Sequence, residues 1–200
     1  LLYAGTESGM YISRDDGMQW YPFQLNLPIV PITDLLVKDE NLIVATQGRS
    51  IWIIDDLSPI YQLSEVADNQ NFLYKAKTTY RMGGGQRKNL KTAGLNHPGG
   101  AMIYFYLPDL EDSTEVTLEF SDSGGKVIET YSTKNEKPTK LELKKGSNLF
   151  VWNLQYPQAE RFDGMIFWAG SLSGPVVLPG IYMVTLKVGG YTQTQEFEVK

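Results

Sequence analysis

Apolar and polar residues alternate in short runs along most of the 200-residue chain, and Gly, Pro, Asn or Asp interrupts the runs. A period of two places one set of side chains on one face of a strand, whereas a helix needs a recurrence near 3.6. The pattern predicts strands over 1–6, 10–14, 20–25, 32–38, 41–46 and 50–55. It predicts more over 71–79, 101–107, 114–121, 126–132, 138–144, 147–155, 181–188 and 191–199. "SDSGGK" and "VGGY" read as hairpin turns between neighbouring strands. Helical periodicity is almost absent, apart from one turn's worth in "LSEVADNQ" at 63–70. The expectation is an all-β, antiparallel protein.

The first strands repeat. "LLYAGTESGMYISRDD" (1–16) lies over "NLIVATQGRSIWIIDD" (41–56) at a constant offset of forty residues. Leu2, Thr6, Asp15 and Asp16 fall on Leu42, Thr46, Asp55 and Asp56, and Tyr3, Tyr11 and Ile12 fall on Ile43, Ile51 and Trp52. A period near 40 residues is that of a four-stranded propeller blade. Less than two such blades are present. A blade buries its faces only against neighbours, so Ile51, Trp52, Ile53 and Ile54 are expected to need a cover: the rest of the chain, a second copy, or further blades.

Between the second and third strands stands "SRDDGMQW". A carboxylate at such a hairpin accepts N–H bonds from its own turn, and glycine supplies positive φ. Ser13, Asp15, Gly17 and Trp20 match S-x-D-x-G-x-x-W, the Asp-box or BNR repeat, in which these residues are structural. In the second copy Ile53, Leu57 and Ile60 replace Ser13, Gly17 and Trp20. Residues 1–65 resemble the closing segment of sortilin-like BNR-repeat propellers of bacterial secreted proteins. Their "GTHGR-x-x-W-I-L-D-D" stretch appears here as "ATQGRSIWIIDD" at 45–56, with Ala45 and Gln47 as the departures. The resemblance extends to "GIYMVTL" at 180–186, a motif of the immunoglobulin-like modules that end such proteins. It implies an exported protein in periplasm, cell surface or medium. It implies no reaction, since Asp-boxes occur in sialidases, receptors and xyloglucanases alike.

The expected organisation is therefore terminal propeller-blade strands over 1–60, a junction over 61–70, and an immunoglobulin- or fibronectin-like antiparallel β-sandwich over 71–200. Pro59 is expected to end the last blade strand. Charge divides along the same line: residues 1–60 hold eight acids against three bases, and the remainder fifteen of each. Neither part carries the clustered Lys and Arg that nucleic acid demands. No apolar run approaches the length of a membrane span. With no cysteine, thiol chemistry and thiolate metal sites are excluded.

Candidate chemistry is sparse. The acid-free segment 69–108 gathers Lys75, Lys77, Arg81, Arg87, Lys88 and Lys91 around "GGG" at 83–85, without a P-loop pattern, and reads as a solvated loop. His97 is the one histidine, in "NHPGG", which is turn composition, so no His-based zinc site or Ser-His-Asp triad is expected. "FVWNLQYPQAERFDGMIFWAG" (150–170) is the aromatic stretch. Trp152 alternates with Phe150 and Leu154 and is expected in the core. Tyr156, Arg161, Phe167 and Trp168 are the candidates for contacting a ligand, by stacking on sugar rings. Glu160 and Asp163 flank Arg161 and read as a solvated ion-pair loop, not a glycosidase pair.

The expected function is thus a non-catalytic structural and interaction module of a larger exported Asp-box propeller protein, with no cofactor or metal and with upstream blades as its partners. The alternatives are a carbohydrate-binding module, or an accessory domain of a sialidase-like glycoside hydrolase whose active site lies upstream.

Overall fold

A computed structural model of the chain describes residues 1–66, 69–82, 94, 96–111, 113–160, 162, 164–166, 168 and 170–200. The described strands form antiparallel sheets, and the chain divides into two units, Leu1–Ser64 and Glu65–Lys200. No helix among the described residues is long and apolar enough to cross a membrane.

The first unit holds two three-stranded sheets. One is β1 (Leu2–Thr6), β2 (Gly9–Ser13) and β3 (Tyr21–Pro22), in that order. The other is β4 (Ile32–Lys38), β5 (Asn41–Thr46) and β6 (Ile51–Ile54). Met10, Leu42, Val44 and Leu57 are buried between them, with Tyr3, Ile32, Leu35, Trp52 and Ile54 packed around. Gln24 locks the loop after β3: its Oε1 accepts the Met10 N–H (3.1 Å) and its Nε2 donates to the carbonyls of Leu27 and Pro28 (both 2.9 Å).

The repeat is real in register but not at a single offset. Tyr3 lies opposite Ile12, whereas Ile43, forty residues on from Tyr3, lies opposite Ile53. Strands β1 and β5 therefore correspond at forty residues and β2 and β6 at forty-one. The turn after β5 is the longer one, closed by Thr46 Oγ1 donating to the Ser50 carbonyl (2.6 Å). The structural counterpart of Asp15 is consequently Asp56, not Asp55 as the ungapped pairing has it.

After β6 the chain enters a one-turn helix, α1 (Ser58–Tyr61), with Pro59 in its first turn, where a missing N–H costs nothing. A 3-10 turn follows at Leu63–Glu65, at the start of the stretch expected to be helical.

The second unit has two sheets that face each other across one core. Strands β9 (Val116–Asp122), β10 (Val127–Ser132), β12 (Gly180–Val188) and β13 (Tyr191–Val199) make one sheet in the order β10-β9-β12-β13. The other holds β7 (Phe72–Leu73), β8 (Ala101–Leu107) and β11 (Gly146–Trp152), ordered β11-β8-β7. Their inward faces interleave aromatic rings. Trp152 of β11 is fully buried and stacks on Phe120 of β9 (centroids 4.6 Å, 16° between planes), with Phe197 of β13 edge-on at 6.1 Å.

Three expected strands come out differently, the first being 20–25, of which only Tyr21–Pro22 forms ladder. The run 71–79 supplies only two residues of ladder, because the segment leaves one sheet and joins the other. Leu73 pairs with Phe105 of β8, whereas Thr79 bridges Val199 of β13 in parallel. Gln193 holds the crossing, accepting the Leu73 N–H at Oε1 (2.6 Å) and donating Nε2 to the Leu73 carbonyl (3.1 Å). The run 138–144 is not a strand: Lys140 makes one isolated bridge to Ser132. Asn148 takes over the pairing, its Oδ1 accepting the Lys144 N–H (2.9 Å) and its Nδ2 donating to the Lys144 carbonyl (2.7 Å). Leu141 still reaches the core, so the alternation there reports burial without a ladder.

Candidate functional site

The turn after β2 is built from its own side chains. Ser13 is fully buried; its Oγ donates to Asp15 Oδ1 (2.8 Å) and accepts the Gly17 N–H (2.8 Å). The same Asp15 oxygen accepts the Gln19 N–H (2.9 Å). Asp16 and Gly17 both take positive φ (55° and 92°), a pair of conformations that Asp tolerates and Gly favours. Trp20 closes the loop by donating its indole N–H to the Gly17 carbonyl (3.1 Å). The Gln19 N–H, with help from the Ser13 hydroxyl, holds the Asp15 carboxyl below its ordinary value. An acid stabilised as its anion and bonded into its own turn is a poor proton donor.

At the matching turn of the second sheet, Asp56 Oδ1 accepts the Ser58 N–H (2.8 Å). Asp56 Oδ2 and Ser58 Oγ are buried without a protein partner. Leu57, fully buried, donates its N–H to the Glu40 carbonyl (2.8 Å) and accepts from Ile60 (2.9 Å), which starts the helix. Where the first copy spends Ser and Gly on a tight turn, the second inserts a leucine into the core and leaves the sheet.

The second candidate region is the connection after β11. Val177 N–H bonds the Leu154 carbonyl (2.8 Å), Tyr156 N–H that of Pro175 (3.0 Å) and Ala159 N–H that of Leu172 (2.9 Å). These bonds fold it into an irregular two-stranded ribbon whose far end carries Phe162, Ile166 and Trp168. Tyr156 sits at the base, 39% exposed, while Trp168 belongs to the far end and is 97% exposed. Phe162 and Ile166 are exposed there too, as sequence reading missed; the signal was their apolar character in a segment with no strand period. Arg161, Phe167 and Asp163 lie outside the described residues, as do 83–93 of the basic segment. Trp152, by contrast, belongs wholly to the core.

Elsewhere chemistry is thin. His97 donates its Nδ1–H to the carbonyl of the adjacent Pro98 (2.7 Å). Glu115 is held below its ordinary value, chiefly by the Ser132 hydroxyl (2.6 Å) and then by Lys134, and the buried Ser132 thereby ties Glu115 to the end of β10. Tyr131, pushed up to about 12 by burial with help from Glu129, packs against Phe150 in the core. Among the described residues, no three His, Asp or Glu side chains converge as a metal ion requires.

Compared with known proteins, the chain matches no family model, no curated protein and no solved structure.

Proposed function

We propose that the chain is a non-catalytic structural and interaction module: two terminal sheets of an Asp-box propeller, followed by an immunoglobulin-like sandwich, within a larger exported protein. The observation that carries this reading is the use made of Asp15. Its Oδ1 is bonded to Ser13 and Gln19 of its own turn, so the carboxylate acts as a local brace. The forty-residue repeat, seen again in the register of β1–β2 and β5–β6, supports consecutive blades. The interleaved core between the two sheets of the second unit supports a sandwich. Upstream blades are the partners this reading implies, and export follows from the family resemblance.

A second reading, carbohydrate recognition, is favoured by one observation: a nearly fully exposed Trp168 in the same connection as exposed Phe162 and Ile166. Indole faces stack on sugar rings, and a tryptophan left in water has no packing reason to be there. A tryptophan-fluorescence titration with soluble glycans, repeated on Trp168→Ala, separates the two. The structural reading expects no saturable change in either protein. Saturable binding lost in the variant would replace it with a glycan-binding module.

A further inference from the structure

Trp152 marks one end of the sandwich in the second unit. It closes β11 opposite Ala101, the first residue of β8. Its ring lies 4.6 Å from that of Phe120 near the end of β9, 5.9 Å from Tyr182 near the start of β12 and 6.1 Å from Phe197 near the end of β13. Three connections therefore open at this end: the β9–β10 turn, the ribbon between β11 and β12, and the chain that runs from Thr79, bridged to Val199, to the start of β8. Arg81 is fixed there by its N–H, which donates to the Lys200 carbonyl (2.7 Å). The returning arm of the ribbon is fixed by the Tyr182 hydroxyl, which donates to the Leu178 carbonyl (2.7 Å).

Two kinds of side chain collect at this end. Tyr80, Met82, Phe162, Ile166, Trp168 and Leu178 are large, apolar and exposed, Ile166 at 82% and Leu178 at 72%. They come from two separate connections. Bases also outnumber acids. In sequence, the connection 79–100 carries Arg81, Arg87, Lys88 and Lys91 with no acid, and Lys126 and Lys200 stand in the β9–β10 turn and after β13. Of the acids there, Asp122 spends Oδ1 on the N–H groups of Gly124 and Lys126 (both 2.9 Å), Glu198 pairs with Lys200 (3.1 Å), and Glu160 and Asp163 flank Arg161 in sequence.

We propose that this end of the sandwich is a peripheral binding surface for an anionic lipid bilayer. Trp168, Ile166 and Phe162 enter the boundary between headgroups and acyl chains, where indole and aliphatic groups both gain, and the bases meet the anionic headgroups. The aliphatic members decide for a bilayer over a sugar: Ile166 and Leu178 offer no flat ring to stack on. An apolar set spread over two connections also suits a plane better than a pocket. This inference goes beyond the structural reading and makes no use of the repeat in the first unit.

Co-sedimentation of the full chain with vesicles tests it, comparing phosphatidylcholine alone with equal parts phosphatidylcholine and phosphatidylglycerol. The expected result is binding to the mixed vesicles with a blue-shifted tryptophan emission, weaker by about tenfold on phosphatidylcholine alone and weakened again by added salt. Trp168→Ser should lower the affinity about tenfold and Arg81→Gln about fivefold, both with an unchanged far-ultraviolet circular dichroism spectrum. No association with the mixed vesicles, equal binding to phosphatidylcholine alone, or full binding by Trp168→Ser would each overturn the lipid surface. A soluble glycan that saturates at Trp168 while the vesicles stay bare would overturn it in favour of the glycan-binding module. None of these outcomes bears on Asp15 as a local brace, so that reading is judged separately.

Discussion

The two units solve the same problem differently. In Glu65–Lys200 two sheets face one another, and the large aromatic rings, Trp152, Phe120 and Phe197, are enclosed from both sides. In Leu1–Ser64 two sheets also share a core, but the second keeps a further apolar face, with Ile51 and Ile53, open to solvent. In the first unit Leu36, Ile51 and Ile53 lie on one face of β4–β6 and are exposed, so burial there is one-sided.

This contrast is broken most forcefully at Trp152. Trp152→Ala removes the ring that touches both layers and is expected to cost about 3–5 kcal/mol, read as an early loss of near-ultraviolet circular dichroism on urea unfolding. A loss below that range would mean that the sheets seal the core without it. Next comes Gln193→Leu, which strips the buried Leu73 of the side-chain amide that pairs its N–H and carbonyl. About 1–3 kcal/mol is expected, together with faster amide exchange at Leu73.

In the first unit Ser13→Ala removes the buried hydroxyl that joins Asp15 to Gly17, for about 1–2 kcal/mol. The loss should appear as a lowered urea midpoint with an unchanged slope. The smallest effect is the acid dependence of the same turn. Because the folded state holds the Asp15 carboxyl below its ordinary value, its contribution is present above the unfolded pKa of about 4 and fades as pH falls through the folded value. The stability difference between the unaltered chain and Asp15→Asn should therefore shrink on acidification. A gap that stays constant to pH 2 or so would remove the carboxylate from the account of the turn.

Much of this was readable from residue order. Alternation located β2, β5, β8, β12 and β13 closely, since a half-buried strand writes its two faces into adjacent positions. The same logic put Trp152 inside. It erred at 20–25, 71–79 and 138–144; in the last two, buried apolar residues alternate while scattered backbone bonds and the side-chain amides of Gln193 and Asn148 replace a continuous ladder. The bonds within the Ser13–Trp20 turn were equally legible, being contacts between residues two to four apart. The match of Asp56 to Asp15 was not, because ungapped comparison has no knowledge of which residues face each other across a hairpin.

Sequence by itself determined what depends on near neighbours: the strand class, the turn chemistry of Ser13, Asp15 and Gly17, and the forty-residue repeat. Tertiary structure alone decided which of two equally apolar faces each strand buries. Leu42 and Ile43 are both suited to a core, yet the register across β4–β6 sends the first inward and aligns the second with exposed Leu36 and Ile53. The reason is physical: in a strand rich in apolar residues on both sides, composition no longer marks the inside, and only the partner that arrives on one face distinguishes it from the other.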